Sequence, residues 1–329
     1  MRQIYIVFIS LFVLTFSAQC QQTAEYCSDK GVALYYLGDI DGAILCFDEA
    51  IRLDSSFAEA WNNKGYALND QGKFDEAIMC FDEAIRLNSN LAKAWGEKGY
   101  ALNNQGKFDE AIMCFNEAIR LDSNFTEAWS NKGYALGMQG KFDEAIQAYD
   151  ETIRLDANFT EAWGNKGYFL GMQGKYDEAI QAYDEAIRLD SNNAEVWYNK
   201  GIIFNYLGKY NESIQAYDEA IRLDLDYSSA WTGKGITLSM LGKYNESIQA
   251  YNEAIRLDPG FAVTWNNKGS ALLQLGKYDE AIQAYDEAIR LDPNYADAWY
   301  NKGNSLEQLG RNEEADEALA KASDLGRDG

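Results

Sequence analysis

The apolar positions of the chain recur every 34 residues. In the copy from Ala58 to Leu91, Trp61, Gly65 and Leu68 are spaced four and three apart, which places them on one face of a helix. Phe74, Ala77, Ile78, Phe81, Ala84 and Ile85 follow as a second stripe with a period near 3.6, predicting a second helix. Gly72 stands between the two stripes, where a left-handed residue ends the first helix. Asp75 and Glu76 open the second helix and Arg86 closes it, each sign matching the helix dipole. Gly65 and Ala77 carry almost no side chain, so the two helices can approach closely. The same line returns from Ala92, Thr126, Thr160, Ala194, Ser228, Ala262 and Ala296, and a worn copy begins at Ala24. Nine copies therefore fill residues 24–329, with residues 1–23 outside the pattern. A helix pair of this size cannot bury its apolar face alone, so stacking of neighbours is the expected architecture.

The pattern W-x3-G-x2-L, then A-x3-F-x2-A, then a turn that holds Pro259 or Pro293 in two copies, resembles the tetratricopeptide repeat. The resemblance implies an all-α, right-handed superhelical solenoid of helix–turn–helix units over residues 24–329, with the first helices lining a concave face. One departure recurs in every copy. Where the family usually has Leu before the glycine, this chain has Lys, from Lys30, Lys64 and Lys98 through to Lys302. That place borders the apolar face, so the stem is expected to pack there while the ammonium reaches a helix carboxylate. In the last copy Asn312, Asp316 and Ser323 replace the usual aromatic and two isoleucines, the polar outer face that a terminal repeat needs. Shared stretches such as KFDEAIMCF in copies two and three point to duplication by blocks.

Charge and composition narrow the functional classes. The formal net charge is −23, and no basic patch exists to neutralise phosphates, so nucleic acid is not an expected partner. Histidine is absent, which removes the commonest general base and metal ligand. Cys46, Cys80 and Cys114 share one place in successive second helices, about 10 Å apart if the repeats stack, beyond disulfide reach. Cys27 replaces the tryptophan of the first copy. Acidic pairs recur at second-helix starts in six of the nine copies and so read as capping. No metal spacing, phosphate loop or base-paired serine appears, and neither an enzyme nor a cofactor is expected.

Residues 1–23 read as a leader. Arg2 precedes the apolar run Ile4 to Phe16, which suits a signal-peptide core better than a bilayer span. Ser17-Ala18-Gln19-Cys20 then resembles a degenerate lipoprotein cleavage site with Cys20 as the lipidated residue, although Ser17 and Gln19 depart from the pattern. The expectation is an exported, extracytoplasmic protein, anchored to a membrane through Cys20 or by an uncleaved leader. In that setting Asn124 and Asn158, in inter-repeat turns, and Asn211 and Asn245, opening second helices, become candidate N-glycosylation sites.

The candidate binding residues lie on the first helices, opposite the Trp-Gly-Leu face. The second, sixth, ninth and thirteenth places fall together there. They include Glu59, Asn63 and Tyr66 in copy two, Tyr100 in copy three, and Glu127, Asn131 and Tyr134 in copy four. Copy five adds Glu161, Asn165 and Tyr168, and copy six adds Glu195 and Asn199. Asparagine recurs at the sixth place in Asn63, Asn131, Asn165, Asn199, Asn267 and Asn301, while Asp29, Glu97 and Gly233 depart. An amide both donates and accepts, so it can pair with a peptide backbone of any sequence. The row resembles the asparagine ladder in the superhelical repeats of O-linked N-acetylglucosamine transferase, which holds extended peptides. The alternative is that Asn is merely polar and survives duplication. The expected function is non-catalytic binding of extended, basic protein segments by a monomer. The alternative is an assembly component of the cell envelope acting through self-association.

Overall fold

The computed structural model describes residues 23–327, so the leader up to residue 22, with Cys20 and the membrane attachment, lies outside the described residues. Among the described residues there are eighteen α-helices and no strand, and no helix is long and apolar enough to cross a membrane. They alternate regularly: a first helix such as Ala58–Asp70, a tight turn, then a second helix such as Phe74–Leu87. The chain divides at Phe169/Leu170 into two compact units. Within each unit a first helix packs against the second helix of its own repeat and against the second helix of the preceding one.

The turn inside each repeat follows from one residue. Gly72 adopts φ +72°, while the Lys73 N–H donates to the Leu68 carbonyl and the Gly72 N–H to the Asn69 carbonyl, each at 2.9 Å. That is the pair of bonds by which a left-handed glycine closes a helix and satisfies its last carbonyls. The equivalent glycine has positive φ in all nine repeats.

The core of most repeats is one ring seated on one glycine. Phe81 is fully buried, and a Cβ built on Gly65 would lie 2.6 Å from its Cε1. Phe115 sits on Gly99 at 2.6 Å in the same way, and Tyr285 on Gly269 at 2.6 Å. Around the ring, Ala77 and Ala84 are fully buried, with Cys80, Leu68 and the next repeat's Ala94 completing the cluster and Trp61 packed at its edge. The tryptophan also ties the stack to its own connections. The Trp61 indole N–H donates to the Ser55 carbonyl at 3.2 Å, and Trp95, Trp129, Trp163, Trp197, Trp265 and Trp299 repeat that bond six residues back.

The four cysteines among the described residues are free. Cys27, Cys80 and Cys114 are buried, whereas Cys46 is only half-buried, because the first repeat has no earlier neighbour among the described residues to cover it. Burial pushes the Cys80 and Cys114 thiols up to about 11. Asn312, Asp316 and Ser323 are all exposed in the last repeat, while Ile282 of the repeat before is buried against Leu306, Ala315 and Ala318.

The glycine–ring contact is testable. Gly65→Ala gains about 1 kcal/mol of helix propensity, but forcing a methyl into the Phe81 ring costs about 1–3 kcal/mol. A net loss of stability is expected, read as a lower denaturation midpoint. An unchanged or raised midpoint would show that the ring yields freely.

Candidate functional site

The nine-fold lysine pattern is structural over most of its length. Lys64, Lys98, Lys166, Lys200, Lys234 and Lys302 each pair with an aspartate sixteen residues earlier, in the second helix of the preceding repeat, at 2.5–2.7 Å. Each ammonium also lies over the tryptophan three residues before it, 5.3–5.9 Å from the ring centroid. Lys132 and Lys268 differ, because the place of the aspartate holds Asn116 and Asn252. Neither lysine forms an ion pair among the described residues, and burial holds both ammonium groups below the usual lysine range. They lie nearest the indole, at 5.0 and 5.1 Å, where the ring face supplies the only attraction described for them.

The other face of the first helices carries the residues singled out for binding. In the unit that ends at Phe169, Glu59, Tyr66, Tyr100, Glu127, Tyr134, Glu161 and Tyr168 are exposed, and Asn63, Asn131 and Asn165 are half-buried. In the second unit Glu195 is exposed, and Asn199, Asn267 and Asn301 are half-buried. The asparagines thus stand at the boundary between the face and the helix packing beneath it. Their amides are not equally free. Asn301 donates to Asn266 Oδ1 at 3.0 Å, Asn63 reaches Ser28 Oγ only at 3.5 Å, and Asn165 approaches the Tyr149 hydroxyl. Among the described residues the side-chain amides of Asn131, Asn199 and Asn267 have no partner. The four sequon asparagines, Asn124, Asn158, Asn211 and Asn245, are exposed, the first two in inter-repeat turns and the others in the first turn of second helices.

Four of these residues meet in one cavity. Tyr66, Tyr100, Glu127 and Asn131 line a space of about 200 Å³ across the first helices Ala58–Asp70, Ala92–Asn104 and Thr126–Met138. Three other residues share its wall: Asp70 at the thirteenth place of that face, Glu97 at the sixth place where the amide pattern departs, and Asn69, which helical period sets off that face. Asn69 is buried and donates Nδ2 to the Glu97 carbonyl at 3.3 Å; one repeat on, Asn103 donates to the Asn131 carbonyl at 3.1 Å. The amides at this place therefore tie neighbouring first helices together, and both leave Oδ1 without a hydrogen-bond partner. Glu97 is pushed up to about 7, chiefly by burial and further by the nearby carboxylates of Asp70 and Glu127, against the pull of the Asn69 hydrogen bond and Lys93. Asp70 accepts a hydrogen bond from the Tyr35 hydroxyl. No cluster of His, Cys, Asp and Glu that could hold a metal ion is found among the described residues.

Stacked helix pairs repeating along the chain define a helical-repeat protein. Four models of one repeat family match the chain. Those described as tetratricopeptide repeat match residues 58–91, 92–125, 126–159 and 194–227, then 148–181, then 296–326, and a TPR repeat model matches 31–69, 170–205, 240–276 and 269–310. The chain belongs to the tetratricopeptide repeat family, whose fold is a protein-interaction scaffold. No curated protein matches it in sequence. Among solved structures, a tetratricopeptide repeat protein from Parabacteroides merdae is 20% identical with a TM-score of 0.58, covering 72% of this chain and 94% of its own. YrrB, described as a TPR protein with an unusual peptide-binding site, is 24% identical with a TM-score of 0.49 over 56% of this chain and 95% of its own. MamA is 27% identical with a TM-score of 0.46 over 48% of this chain and 93% of its own.

Two outcomes are expected from this geometry. Asn116→Asp supplies the missing partner of Lys132 and should raise stability by up to about 1 kcal/mol, the pair being only partly shielded from water. A denaturation midpoint that does not rise would remove the explanation for the unpaired lysine. Glu97 keeps its proton in the fold up to about 7, whereas its ordinary value is 4.5. The folded state then binds more protons between those values, so stability falls as pH rises through that window. Glu97→Gln should abolish that slope and stabilise the protein at pH 8 by about 1–2 kcal/mol, discounted for partial exposure. Melts at pH 5 and pH 8 check it, and parallel slopes in both proteins would contradict it.

Proposed function

We propose that the protein binds extended, basic protein segments on the exposed face of its first helices and catalyses no reaction. The observation that carries this reading is the free amide of Asn131 beside the exposed rings of Tyr100 and Tyr134 and the carboxylate of Glu127. An amide offers a donor and an acceptor to a peptide backbone, the tyrosines offer flat apolar surface, and the carboxylate favours a positive segment. The net charge of −23 acts in the same sense by steering cationic segments toward the surface. The leader and Cys20 fit an exported protein held at a membrane, and the four exposed sequon asparagines are compatible with that setting.

A second reading, assembly through self-association, has one observation in its favour. Leu45, Met79 and Met113 occupy the same place in the first three second helices and are 69%, 72% and 69% exposed, where the later repeats have Gln147, Gln181, Gln215, Gln249 and Gln283.

Replacing Asn63, Asn131 and Asn165 together by Ala tests the first reading against a short lysine-rich peptide and a neutral one of equal length. Each amide pair lost should cost about 0.5–1.5 kcal/mol, so affinity for both peptides should fall roughly tenfold or more. Helix content should be unchanged. Undiminished binding by the triple variant, with sedimentation showing concentration-dependent oligomers, would move the assembly reading to first place.

A further inference from the structure

We propose that the cavity walled by Tyr66, Asn69, Asp70, Glu97, Tyr100 and Glu127 seats the ammonium head of a lysine side chain from a bound segment, an inference that rests on the peptide-binding reading above. No lysine or arginine lines the cavity, although three carboxylates do. Asn69 supplies an independent indication. It is 6% exposed, its Nδ2 is engaged with the Glu97 carbonyl, and its Oδ1 is a buried acceptor with no donor. An unmet buried acceptor is costly, and an incoming N–H would meet it.

The shape selects the cation. At about 200 Å³ the space is smaller than the clefts that hold whole small-molecule ligands, and it suits one side chain. The exposed rings of Tyr66 and Tyr100 can take the alkyl stem and present their faces to the charge. A primary ammonium has three donors that can turn toward Asn69, Glu97 and Glu127 on three different helices. A guanidinium is a rigid planar fork that matches a single carboxylate best. Glu97 stands where its neighbours two and four have Asn63 and Asn131. A strand paired by those amides would therefore meet a charge at the repeat between them.

Glu97 also makes the seat sensitive to pH. The charged groups facing it are Asp70 from Ala58–Asp70, Glu127 from Thr126–Met138, and Lys93 on its own helix, with Tyr66 and Tyr100 beside them. Its carboxyl is half-ionised near pH 7, so a lysine should be held more tightly as pH rises from 6 to 8.

The test uses the full chain and two peptides, acetyl-Ser-Ala-Lys-Ala-Ser-amide and its twin with norleucine for lysine, by titration calorimetry. The wild type should prefer the lysine peptide by roughly three- to tenfold, as one partly shielded ion pair would give. That preference should grow from pH 6 to pH 8. Glu97→Gln and Tyr100→Leu should each reduce it, and Glu97→Gln should flatten its pH dependence, while Asn131→Ala should weaken both peptides alike. Putrescine alone should bind more weakly than the lysine peptide; tighter binding of putrescine would overturn a peptide side chain as the occupant. Equal binding of the two peptides, or a preference undiminished in Glu97→Gln, would overturn the lysine seat and leave the peptide-binding reading standing. Binding of neither peptide would overturn both.

Discussion

Everything in the stack depends on how closely two helices can cross within a repeat, and that distance is set by a glycine beneath an aromatic ring. Gly65 lets Phe81 lie where a Cβ would otherwise stand, so the ring fills the space between its two helices instead of holding them apart. With the ring lodged there, small residues suffice around it, which is why Ala77, Ala84 and the next repeat's Ala94 form the rest of the cluster. The seat tolerates either aromatic. Phe fills it in the first three repeats and Tyr in the following five, as at Tyr217 against Gly201. The ninth repeat has Leu319 against Gly303, the same close approach made by an aliphatic side chain.

Much of this was legible in the sequence because it repeats. A spacing seen once is weak, but Trp61, Gly65, Leu68 and Phe81 recurring in step leave one packing solution. Gly72 marked the turn, and the place of Lys64 on the edge of the apolar face implied a carboxylate within reach of its stem. The identity of that carboxylate was not legible. Asp48 belongs to a different repeat, sixteen residues back, and only the stacking brings it to Lys64. The same limit hid the meaning of Asn116 and Asn252, which look like harmless variation until the structure shows which lysine each fails to meet.

The binding face divides along similar lines. Which positions point away from the core follows from helical period alone, and the exposure of Tyr66, Tyr100 and Tyr134 agrees with it. What period cannot give is depth. The asparagines sit half-buried among neighbouring helices, so some, such as Asn301, find partners within the chain. Glu97 read only as a gap in the amide pattern. Its chemistry depends on Asn69 and Asp70, which lie 28 and 27 residues earlier and come beside it only when first helices pack side by side.

The tryptophans give eight of the nine repeats an optical reporter. Of the eight in the chain, seven hold their indole N–H on a carbonyl six residues back, so emission from each reports whether its own inter-repeat turn is intact. The first repeat has Cys27 in that place and contributes no indole. Fraying that begins there is invisible to tryptophan fluorescence, yet it uncovers a buried thiol. Emission and thiol accessibility followed together would show from which end the array begins to melt.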